Sequence, residues 1–306
     1  MTHRLNLLLL VLIGVLGLPF YWLLVGNPGR HVAPHELHMA ELRHLAGELP
    51  GAAPASIEVE EVGWKDVVSN LYAAGSGIKA RRFSVLAYHL TVPGQGGVTI
   101  DSGTSAMLGQ AIGLTTYVPA AQERVNAWMS GAELLLATNE RPAHLGGLAA
   151  LGLQPGSARA MARARLDGAQ VPRETVDDGL PWPSTLVLRP AIIGSAPVAV
   201  APGIVAIPTG TPTPGTQMIY VRLANGREYI FAGDVAPFAV NATELRVPAR
   251  LLEHRDAERA RRETMRWLVT LRSLTREAPA LKVVPAHDVD WIVEPTLHTG
   301  IRVIGR

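Results

Sequence analysis

The stretch Leu135-Leu136-Ala137-Thr138-Asn139-Glu140-Arg141-Pro142-Ala143-His144-Leu145-Gly146-Gly147 decides the fold. It opens on an apolar strand, read as Glu133 to Ala137, because a short apolar run bounded by breakers fits a buried strand. It then breaks into a loop carrying polar and charged side chains, one histidine and a glycine pair. Loops of this kind, placed by a rigid strand, are where chemistry concentrates.

Outward from it, three further segments share that form. Val98-Thr99-Ile100 is a buried-type strand that ends in Asp101-Ser102-Gly103. Thr213-Pro214-Gly215-Thr216 leads through the hairpin signal Asn225-Gly226 into Tyr229-Ile230-Phe231-Ala232-Gly233-Asp234. Val283-Val284-Pro285-Ala286-His287-Asp288 closes the series. In this order the four segments resemble the signatures of the metallo-β-lactamase superfamily: strand then Asp-Thr-Gly, the T-H-x-H-x-D-H-x-G-G loop, P-G-H-T-P-G-S before a hairpin ending in Gly-Asp, and a final P-G-H-D. The likeness runs over roughly residues 80 to 290. It implies an α/β fold, an αββα four-layer sandwich, with loops from both halves meeting at one edge.

The resemblance also implies a metal site, here badly eroded. The family's first metal position falls on Asn139, Arg141 and Pro212, none of them a good ligand. Proline has no side-chain donor and arginine brings a fixed positive charge. The second position falls on Ala143, His144, Asp234 and His287, so alanine replaces a carboxylate while three ligands remain. Two histidines and one carboxylate can bind a divalent ion with positions left open. The cofactor reading stands between one zinc or iron ion and none.

Two functions follow as expectations. The leading one is a pseudoenzyme whose cleft binds a small-molecule or protein ligand, with Arg141 filling the vacated metal space beside Asp234. The alternative is a single-metal hydrolase of a lactone, ester or related carbonyl substrate using His144, Asp234 and His287, with Glu140 or Asp288 as a base. Asp101 reads as a strand-end carboxylate bonding loop amides.

Composition limits the rest. The net charge of +2, with no aromatic-plus-basic stretch, speaks against nucleic acid as a partner. With no cysteine, disulfides, thiolate nucleophiles and Cys-ligated zinc are excluded. Lysine is confined to Lys65, Lys79 and Lys282 against abundant Arg, Ala, Gly and Pro, a bias expected of a GC-rich bacterium.

Leu5 to Val25 is almost wholly apolar, with Tyr21 and Trp22 near its far end. About 20 such residues span a bilayer core. The run is long and no small-x-small pair follows it, so it reads as an uncleaved anchor. The expected organisation is residues 1–26 as a transmembrane anchor, 27–54 as a juxtamembrane linker and polar helix, and 55–306 as the metallo-β-lactamase-like domain. The expected location is the bacterial inner membrane, single-pass, with the domain in the periplasm. Helices are expected over 119–130, 158–166 and 256–275, and strands at 57–62, 83–90, 217–223, 228–232 and 281–285.

Overall fold

Along Phe83 to Leu90, alternate side chains divide between two cores. Phe83, Val85 and Ala87 point into one buried cluster, and Leu86, Tyr88 and Leu90 into another. A strand with both faces buried must lie inside a layered structure. The computed structural model describes residues 2–171, 179–183, 188, 190–252 and 257–305.

The first sheet contains β1 (Ser56–Val68), β2 (Ala80–Thr91), β3 (Val98–Ile100), β4 (Thr116–Tyr117), β5 (Leu134–Leu136) and, from the far end of the chain, β11 (Ile301–Val303). Its order is β11-β1-β2-β3-β5, with β4 paired to β1. The second sheet contains β6 (Val198–Ala201), β7 (Ile204–Pro208), β8 (Gln217–Arg222), β9 (Glu228–Phe231) and β10 (Lys282–Val284), in the order β10-β9-β8-β7-β6. Between the sheets lies one core, where Ile57, Leu86, Tyr88 and Ile100 meet Ile204, Ile219, Val221 and Phe231.

Helices cover both outer faces. Pro119–Gly131 and Pro142–Gly152 lay Val125, Met129, Leu145 and Leu148 on the first sheet. Ala257–Glu277 lays Met265, Leu268, Leu271 and Leu274 on the second. The result is the expected αββα sandwich. The expected helix start at residue 256 lies outside the described residues, as do 184–187 and 189 of the sheet-rich half. The 158–166 helix is shorter than expected: Ala158–Ala162 is helical, and Ala164 bridges to Leu135 beside β5.

Met39–Ala46 is a helix, but it does not stand apart as a polar surface helix. Leu37, Met39, Leu42 and Ala46 are buried against β7 and β8 beside Leu268 and Trp267. Full burial of such a side chain is worth about 1.5–3 kcal/mol, so this segment is part of the outer layer. His35 stacks on Trp267 and His38 pairs with Glu277, which ties the segment to the long outer helix.

One helix among the described residues, His3–Val25, is long and apolar enough to cross a membrane, and none of it is buried in the fold. Pro19 sits between two π-helical stretches, Ile13–Gly17 and Tyr21–Val25, where a wider turn accommodates the missing backbone donor.

Candidate metal centre

Strand direction decides where the chemistry gathers. β3 runs parallel to β5, and β9 parallel to β10. The loops after these four strands therefore leave from the same edge, carrying Asp101, Thr138 to His144, Asp234 and His287. The Gln217 amide donates to the Thr138 carbonyl and ties the two sheets together there.

His144 sits in the first turn of the Pro142–Gly152 helix. That helix approaches the Asp101–Gly103 turn so closely that a Cβ on Gly147 would stand 1.9 Å from the Ser102 carbonyl oxygen. Glycine is required at this position, and it is what brings His144 within reach of Asp101. Asp101 itself adopts a left-handed backbone, φ 59°, which aspartate tolerates better than most residues. Its carboxylate accepts from the Thr138 amide at 2.6 Å and faces His144 Nδ1 at 3.0 Å. The expected loop-amide role is there, and orientation of His144 is added to it.

His287 follows β10. Its Nδ1 donates to the Ser84 carbonyl at 2.8 Å, and its ring stacks on Phe83 with centroids 3.8 Å apart. Asp234 lies in the tight turn Gly233–Val235, where Gly233 has φ 53°. Asp234 Oδ1 is 3.1 Å from His287 Nε2 and 3.3 Å from His144 Nε2. All three side chains are buried, and one ligand atom from each lies within 4.8 Å of the others.

The hydrogen bonds around the two rings fix where their protons lie. A carbonyl cannot donate, so His287 Nδ1 carries the proton. Burial, opposed by Asp234, lowers the His287 pKa, so the ring is neutral and its bare Nε2 faces a carboxylate oxygen. His144 Nδ1 donates to Asp101, and its Nε2 is buried without a hydrogen bond, off the line to Asp234. Three ligand atoms thus converge where positive charge is called for, whether a proton or a metal ion. Both imidazoles are held from behind, one by a carboxylate and one by a backbone carbonyl, the outer support that metal-ligating histidines use. Two nitrogens and one oxygen suit zinc or iron, so the residues fit one divalent ion.

Without a metal, protons supply the charge. Burial disfavours protonation of His144, but the Asp101 and Asp234 carboxylates outweigh it and lift its pKa to about 10. For Asp234, burial acts upward and is overcome by His144, His287 and Arg141, so its carboxyl falls well below the usual range.

The remaining expected ligand positions are accounted for. Buried Asn139 donates to the Thr213 and Thr216 hydroxyls and accepts from the Arg141 amide, as a loop brace. Arg141 reaches Asp234 Oδ2 only at 3.4 Å and remains 51 % exposed, so its pairing with Asp234 is loose. Ala143 and Pro212 line the cleft beside the cluster. Neither proposed base faces it. Glu140 accepts from the Thr213 hydroxyl, while Asp288 caps the following helix at Trp291 and accepts from the Ala239 amide. Sequence reasoning missed Thr138, whose hydroxyl donates to Asp101, and the Ser84 carbonyl; a backbone acceptor leaves no sequence signal.

The cluster forms the floor of a cleft of about 290 Å³. Lys65, Tyr72 and Arg141 supply its polar wall, and Ile112, Pro237, Pro248 and Leu252 its apolar one. Burial lowers the Lys65 pKa and raises that of Tyr72.

No protein-family model matches the sequence, and a search of curated proteins finds no match. Solved structures do match. A quorum-quenching N-acyl homoserine lactone lactonase is similar with a TM-score of 0.60 at 15 % identity, over 80 % of this chain and 97 % of that one. An N-acyl homoserine lactone hydrolase, with N-hexanoyl-L-homoserine bound at its catalytic metal centre, is similar with a TM-score of 0.61 at 15 % identity, over 83 % and 99 %. A probable metal-dependent hydrolase from Staphylococcus aureus gives 0.56 at 13 %, over 78 % and 91 %. The chain has the metallo-β-lactamase fold.

Proposed function

We propose that the protein is a hydrolase that holds one divalent ion through His144 Nε2, Asp234 Oδ1 and His287 Nε2, and acts on a lactone, ester or related carbonyl group. The observation that carries this reading is the convergence of three buried ligand groups, two of them rings braced from behind. A divalent ion held there supplies Lewis acidity to a substrate carbonyl. The chain's own part is to orient and to manage charge. Arg141 stands where the family's first metal ligand falls, and its exposed guanidinium donates to an oxygen that gains negative charge. Tyr72, kept protonated by burial, offers a second donor on the same polar wall. Asp234 Oδ2 is loosely engaged by Arg141 at the cleft floor and keeps that guanidinium beside the reacting carbonyl.

The expected pseudoenzyme remains as a second reading, favoured by one specific observation. With His144 protonated, the series Asp101, His144, Asp234, Arg141 alternates in charge without any metal. Cobalt titration of the chelator-treated full chain separates the two. A visible d–d band saturating at one equivalent, and lost in His287→Ala, supports the metal site. No band at any cobalt concentration supports the charge-balanced cleft, which would then bind ligand without turnover.

A further inference from the structure

The apolar helix and the cleft are built on the same two chain segments. At the end of the helix, Leu24 O accepts from the Gly75 amide, and Asn27 bridges the Ala74 carbonyl and the Val247 amide. Arg250 donates to the Trp22 carbonyl at 2.7 Å and lies over its ring. Arg261, among the largest fully buried side chains, donates to the carbonyls of both Gly26 and Pro248. The segments are also bonded to each other, Ala74 N to Val247 O and Ala249 N to Leu71 O. Tyr72, Pro248 and Leu252, which alternate with these bonded residues, face the cleft.

A buried guanidinium held at both Nη atoms by carbonyls is no flexible tether, because freeing either end leaves a costly unpaired group. The helix therefore leaves the fold at the cleft rim in a fixed pose. On the same segments Val68, Ile78 and Leu251 are exposed. Large apolar side chains standing in solvent beside a membrane-length helix fit an interfacial bed. Lys79 beside Ile78 suits lipid headgroups.

We propose that this rim rests in the bilayer surface and that the cleft takes its substrate from the membrane. The substrate is an acyl-chain amphiphile, with its chain along Ile112, Pro237, Pro248 and Leu252 and its carbonyl group at the His144–Asp234–His287 cluster. The position of that carbonyl rests on the hydrolase reading; the docking of the rim and the entry of the chain do not.

The test uses the full chain in nanodiscs of phosphatidylcholine and phosphatidylglycerol. The absence of native cysteine allows single labels at Leu251→Cys, Ile78→Cys and, on the hairpin at the opposite end of β8, Asn225→Cys. Shallow doxyl-labelled lipid is expected to quench a fluorophore at Leu251→Cys and Ile78→Cys by about twofold, since interfacial groups sit 5–10 Å into the headgroup region, and to leave Asn225→Cys unchanged. A phosphatidylcholine with a diazirine on its acyl chain is expected to crosslink peptides containing Ile112 and Leu252. Equal quenching at all three sites, or crosslinks confined to residues 3–25, would overturn the proposal. Quenching and cleft crosslinks in a protein that binds no cobalt would sink the hydrolase reading and leave this one standing.

Discussion

The His144 proton links metal affinity to pH. Its folded pKa of about 10 lies above the ordinary 6.5, so in metal-free protein the charged ring stabilises the fold fully below pH 6.5. That contribution fades as pH rises towards 10. A metal must displace the same proton from Nε2. Zinc affinity is therefore expected to climb with pH across this window, with about one proton released per ion bound, measurable by calorimetry in buffers of different ionisation enthalpy. In His144→Gln both the metal-free stability slope and the proton release should vanish. Arg141 opposes the ion: a fixed cation beside a ligand carboxylate costs on the order of a few kcal/mol at an effective dielectric near 20, before screening. Exposure reduces that, and Arg141→Ala should tighten zinc binding by about tenfold in a competitive chelator titration. Unchanged or weaker binding would mean that the guanidinium does not face the metal. At this scale the sequence was legible for which side chains gather, since His144, Asp234 and His287 stand in recognisable contexts and the structure brings them together. It was poor for support and for proton transfer. Glu140 and Asp288 looked available because sequence spacing does not show that their oxygens are already engaged by Thr213, Ala239 and Trp291.

Among the elements, the Pro142–Gly152 helix is held to the first sheet by close backbone approach rather than by a large apolar face. Gly147→Ala places a carbon 1.9 Å from a backbone oxygen that cannot swing aside. A loss of about 2–3 kcal/mol or more is expected, read by thermal unfolding, with metal affinity falling too because His144 moves. Gly131→Ala, where the added carbon meets nothing within 4 Å at a helix end, should be neutral or stabilising by up to about 1 kcal/mol. Strands with strong patterns read well from sequence: 98–100 matches β3, and 83–90 falls within β2. Met39–Ala46 read as polar because its apolar face is short, and its place in the outer layer depends on Leu268 and Trp267, more than 200 residues away. β11 was not foreseen at all. Three residues, Ile301–Val303, acquire strand character only by pairing in parallel with β1.

In the whole molecule, four short motifs revealed the sandwich because each marks the end of a strand at one shared edge. They could not reveal the relation between the apolar helix and the cleft, which is carried by backbone carbonyls and by one buried arginine. Arg261→Met should destabilise the protein by about 2–5 kcal/mol, because the buried Pro248 carbonyl and the part-buried Gly26 carbonyl lose a charged donor. The loss would appear as a lower unfolding temperature with the metal site intact at low temperature. The most direct test of the central claim, that His144, Asp234 and His287 hold one ion, is elemental analysis. Full-length protein would be purified in detergent without chelator or affinity metal, then dialysed after exposure to zinc. About one zinc or iron per chain, lost in His287→Ala while the fold remains, is the predicted result. A folded wild-type chain that retains no metal after zinc exposure would contradict it.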